Sequence, residues 1–120
     1  MGMDVDLLLG TSRPEAPPLL ERIAPQVAAV LGVELVEKTG SWRHFFGRGE
    51  DFVVWLDVDP DTKEPFLSHP FVLEVSAARG AEVEVGTRLF QQLAETGRFR
   101  VMLLLDHDCV QSTHFPCEDW

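Results

Sequence analysis

The chain has 120 residues and a net charge of −10, from 20 acids against 10 bases, with 45% hydrophobic content. That length fits a single domain with a core large enough to stand without metal or disulfide staples, and the composition excludes a disordered chain. Apolar runs such as Val101–Leu105 are too short for a bilayer, and the negative charge repels phosphate backbones and anionic lipid. Neither nucleic acid nor membrane is therefore an expected partner, whereas a basic protein would be steered in. The first ten residues carry acids where a secretory signal needs bases, so a cytoplasmic setting is expected. Arg outnumbers Lys eight to two, with no Asn and no Tyr, which fits translation from a GC-rich, bacterial type of genome.

Asp4–Leu9 alternates acid and aliphatic before becoming continuous, which predicts a first strand ended by Gly10. Thr11 and Ser12 are capping residues, and Pro14, Pro17 and Pro18 are tolerated near a helix start. A helix over 18–31 follows, with Leu20, Ile23, Val27 and Val30 on one stripe, a kink at Pro25 and a stop at Gly32. Residues 33–37 (VELVE) and 41–46 read as strands around a Thr39–Gly40 turn. Phe52–Val58 (FVVWLDV) is the clearest strand. The turn at Asp59–Lys63, whose Pro60 fixes φ, leads through a stiff segment to a strand at Phe71–Ser76. A second helix is expected over 84–96, with Val85, Leu89 and Leu93 in its stripe, then a strand over 98–105.

The order β-α-β-β-β-β-α-β predicts an α+β two-layer sandwich. It has a mostly antiparallel sheet of about five to six strands and two helices on one face, closest to a ferredoxin-like variant with an extra hairpin. Residues 1–105 form the domain, and 106–120 are a polar C-terminal tail or an extra edge strand.

Period-two alternation separates the two faces of the sheet. Phe52, Val54, Leu56 and Val58, with Phe71, Leu73, Val75, Phe99, Val101, Leu103 and Leu105, form the core-facing set. The other face carries Trp55, Asp57, Glu74, Arg98, Arg100, Met102 and Leu104, extended by Trp42, His44 and Phe46. Two readings of that face stand side by side. It is a solvated face on which Asp57 and Glu74 pair across strands with Arg98 and Arg100. Or it is a binding surface, since Trp and Arg dominate interface hot spots and open apolar patches ringed by charge mark contact sites.

The tail supplies a second candidate. His107, Cys109, His114 and Cys117 offer the nitrogen and sulfur that zinc prefers. Their spacing matches no established template, and a Cys109–Cys117 disulfide formed after purification is the alternative. Asp57-Val-Asp59-Pro-Asp61 resembles the opening of a calcium loop but lacks its Gly and its bidentate Glu, so a plain acidic turn is expected. Ser68 and His69 are neighbours without a nucleophile signature, and Gly47-Arg48-Gly49 is too short for a phosphate loop.

These features point to a small acidic protein-binding module that neutralises a basic partner, like an immunity or inhibitor protein by charge analogy alone. The alternative is a small ligand- or metal-binding protein, or an enzyme, using the mixed face or the His/Cys cluster. A homodimer through the apolar strip is a third option.

Overall fold

The alternating segments become strands because one of their two faces is apolar enough to be buried and the other is not. In the computed structural model, which describes residues 2–12 and 19–120, seven strands and two helices form an α+β sandwich. In chain order these are β1 (Val5–Thr11), α1 (Leu20–Leu31), β2 (Leu35–Lys38), β3 (His44–Arg48) and β4 (Phe52–Val58). β5 (Phe71–Ala77), α2 (Glu82–Glu95), β6 (Phe99–Leu105) and β7 (Asp108–Ser112) follow, with a short 3-10 turn at Cys117–Asp119. Thr11, expected as a capping residue, instead ends β1, and α1 starts after Leu19 without a side-chain cap; Pro14, Pro17 and Pro18 lie outside the described residues. α1 runs without interruption through Pro25, which is exposed, and stops at Gly32, whose φ of 68° suits a residue without Cβ.

All neighbouring strands are antiparallel, in the order β2-β3-β4-β5-β1-β6-β7. The sheet therefore differs in strand count and order from the expected five or six strands in a ferredoxin-like variant. β2 and β3 form a hairpin outside β4, and β7 is added outside β6. Of the two readings of 106–120, the extra edge strand forms: Asp108–Ser112 is polar and shows no alternation, and it is held by pairing to β6 across a bulge between Leu103 and Leu104.

The main core lies between the sheet and the two helices. Leu7, Leu9, Val54, Leu56, Leu73, Val101 and Leu103 face Ile23, Val27, Leu89 and Leu93. α2 approaches β1 and β6 closely because Gly86 has no Cβ; one built there would meet Val5 at 2.9 Å.

The opposite face of the sheet is half covered. The connection from β4 to β5 makes a turn at 64–68, closed by the Leu67 N–H to Lys63 and the His69 N–H to Pro65. It then lies over Gly10, where any Cβ would run into the Ser68 carbonyl. Phe66 from this connection, Phe115 from the tail and Cys109 pack on a second apolar cluster of Leu8, Met102 and Leu104.

Candidate functional site

The strand register lays one row of side chains across the uncovered face and into the covered one. Val36 stands opposite Phe46, Phe46 opposite Trp55, and Trp55 opposite Glu74. Glu74 stands opposite Asp6, Asp6 opposite Leu104, and Leu104 opposite Cys109. Across this row the surface passes from apolar and aromatic, through two adjacent carboxylates, to the covered cluster. A second row begins at Asp57, opposite Val72, and continues to Leu8 and Met102.

The aromatic side is built by local stacking. The Trp42 ring lies on His44 with centroids 4.5 Å apart and planes 24° apart, and Phe46 meets Trp55 at 5.6 Å. Trp42 is 52% exposed, and Val36, opposite Phe46, is also exposed. Such aromatic surface, standing in water next to charge, is typical of contact sites.

The acidic side carries an electrostatic cost. Burial and the neighbouring Glu74 push the Asp6 carboxyl up to about 6; Asp4 and Asp57 add to this, while His107 opposes it. Asp57 is also raised, by burial first and by Glu74 second, against the Trp42 side chain and His44. Like charges directly opposite on paired strands destabilise a sheet. A groove of about 540 Å³ opens beside these groups, with Asp6, Trp55, Glu74 and Ser76 in its wall.

Trp42, His44, Trp55, Asp57 and Glu74 thus share the open half of this face, as the strand alternation implied. Arg98 and Arg100 do not. Arg98 precedes β6 and is exposed, and Arg100 stands opposite Gly10, away from the acids. The cross-strand pairs of Asp57 and Glu74 with Arg98 and Arg100 therefore do not form. The reason is topological: β1 lies between β5 and β6, and it sets Asp6 rather than an arginine beside Glu74. Asp6 is the residue that sequence reasoning missed. Its signal was present in Asp4-Val5-Asp6-Leu7, where alternation puts Asp6 on the face opposite the core.

The tail residues have other partners. Cys109 and Cys117 are joined in a disulfide with Cα atoms 5.2 Å apart. His107 Nε2 lies 3.4 Å from an Asp4 carboxylate oxygen, and His114 Nδ1 lies 2.7 Å from the Thr113 hydroxyl. Disulfide sulfurs are not the thiolates that bind zinc, and the structure does not gather the four side chains as one ligand set. No group of three or more metal-ligating side chains is found among the described residues.

Ser68 Oγ and His69 Nδ1 are 2.8 Å apart, so these neighbours do interact. His69 is only 1% exposed, its Nε2 has no hydrogen-bond partner, and burial lowers its pKa to about 4. No carboxylate orients the imidazole as nucleophilic catalysis requires; the ring fills space under the covering connection. Asp59 and Asp61 accept backbone N–H groups from Asp61 and Lys63, the bonding of a plain acidic turn.

Among the described residues no helix is long and apolar enough to cross a membrane. No family model matches the chain, and neither the curated proteins nor the solved structures contain a match.

Proposed function

We propose that this chain is a protein-binding module that takes a basic partner on the open half of its second sheet face, in a cytoplasmic setting. The observation that carries the reading is the cross-strand row Phe46–Trp55–Glu74–Asp6, flanked by Asp57. Its carboxylates are crowded against one another and its aromatics are only half-buried. A lysine or arginine from a partner relieves the repulsion, and its stem covers Trp55, where a cation also gains from the ring face. The net charge of −10 steers such a partner in and discourages nucleic acid. A face-to-face homodimer would set carboxylates against carboxylates, so a basic partner fits better than a second copy.

The test uses a lysine- and arginine-bearing peptide with alternating apolar residues. It should bind the wild type with an affinity that falls steeply with salt. The variant Asp6→Asn, Asp57→Asn, Glu74→Gln should bind at least tenfold more weakly. Neutralising Glu84 and Glu95 on α2 instead should change affinity little. Equal losses in the two variants, or binding that ignores salt, would refute a specific acidic face.

A further inference from the structure

We propose that the Cys109–Cys117 disulfide is a redox clamp that sets how much of the second sheet face is open. The consequence for binding rests on the basic-partner reading above; the clamp itself does not. The disulfide closes a span of eight residues and ties the end of the chain to β7. Beyond β7, whose pairing to β6 stands apart from the disulfide, residues 113–120 make few contacts with the rest of the fold. Phe115 packs on the Leu8, Met102 and Leu104 cluster. Trp120 meets Phe66 edge-on at 6.2 Å and donates its indole N–H to the His107 carbonyl. Trp120 is nevertheless 43% exposed. Thr113 is the one firm anchor, its N–H donating to the Val101 carbonyl and its hydroxyl accepting the Val101 N–H, and the Asp119 and Trp120 amides bond only within the tail. A segment with so few buried groups opens locally once its covalent tie is cut.

What lies under the segment gives the opening a consequence. Leu104 stands directly opposite Asp6, so the covered apolar cluster adjoins the carboxylates of the open half. Releasing the tail extends the binding face by an apolar strip; restoring the disulfide shortens it again. A dithiol reductant supplies the chemistry. One of its thiolates attacks a sulfur of the pair, and its second thiol displaces the resulting mixed disulfide. Cys109 and Cys117 gain two electrons and two protons between them, and the reductant leaves as a cyclic disulfide. In a reducing compartment such a pair cycles rather than standing as a permanent staple.

The chain has three tryptophans, and fluorine-labelled tryptophan reports on all of them in the full-length protein. On addition of dithiothreitol, the Trp120 resonance should narrow and move to the solvent-exposed position, while Trp42 and Trp55 keep their folded positions. The Thr113 amide should exchange with solvent at least tenfold faster. The double variant Cys109→Ser, Cys117→Ser should show the released state with or without reductant. The clamp is overturned if Trp120 and Thr113 do not respond, if all three tryptophans move together because the whole domain unfolds, or if air-oxidised protein retains two free thiols. Affinity for the basic peptide should rise at least threefold in the reduced state. An unchanged affinity with the tail released would overturn the link to the binding face. No peptide binding in either state would refute the basic-partner reading, and the Trp120 and Thr113 responses would still decide the clamp.

Discussion

On one side of Asp6 stands Glu74, a second carboxylate; on the other stands Leu104, part of a covered apolar cluster. The two halves of this sheet face share a backbone and an alternation, yet one is wet and charged and the other dry. What separates them is what lies above: Phe66 and Phe115 cover β1 and β6, and no described segment is packed over Trp55 or Glu74 in the same way. On the proposed reading, the apolar side chains exposed on the open half serve a partner. Those on the sealed half stabilise the fold while the Cys109–Cys117 tie holds the tail over them.

Substitutions on the two halves should separate these roles. Met102→Ala or Leu104→Ala, at positions 0% and 4% exposed, should each cost about 2–5 kcal/mol in urea denaturation. Trp55→Ala should cost under about 1 kcal/mol while weakening peptide binding at least tenfold. A Trp55 variant as unstable as the Met102 variant would make the open half core and not surface. Removing the disulfide with Cys109→Ser, Cys117→Ser should cost about 2–3 kcal/mol by the entropy of a short closed loop. Gly10→Ala drives a methyl group into the Ser68 carbonyl and should cost about 1–3 kcal/mol. It lifts the covering connection, so binding of an apolar dye should rise, as it should not for Trp55→Ala.

The smallest effect is electrostatic. Asp6 is raised from 3.8 to about 6 in the fold, so the folded state disfavours its charge above pH 6 and gains stability from this group as pH falls towards 4. His69 acts in the opposite sense. Lowered from 6.5 to about 4, it stays neutral in the fold while the unfolded chain takes up a proton, so stability is lost as pH falls through that window. Asp6→Asn removes only the first contribution. Its melting temperature should exceed that of the wild type at pH 7.5, by less than about 1 kcal/mol of stability because Asp6 is partly solvated. It should then fall more steeply on acidification from pH 6 to pH 4. A variant whose profile parallels the wild type would show that Asp6 carries no such cost.

The legibility of this chain in its sequence followed the strength of its patterns. β4, β5 and β6 lie close to where alternation places them, and both helices fall on their predicted stripes, because each carries an apolar set buried in the core between sheet and helices. β7 could be read only as one of two options, a tail or an edge strand, since its residues are polar and its place is decided by pairing. The residues of the open half were readable as a face, but their neighbours were not. Only the insertion of β1 between β5 and β6 brings Asp6 beside Glu74 and sends Arg100 to Gly10. The cover over Leu8 and Met102 comes from Phe66 and Phe115, in irregular segments whose path no periodicity encodes.

The most direct test of the central claim is a chemical-shift map of the labelled protein titrated with the basic peptide at low salt. A basic-partner face predicts that the largest shifts fall on Phe46, Trp55, Glu74, Asp6 and Asp57, with α1 and α2 undisturbed. Shifts concentrated on the acidic surface of α2, or spread over the whole chain without a maximum on this face, would contradict it.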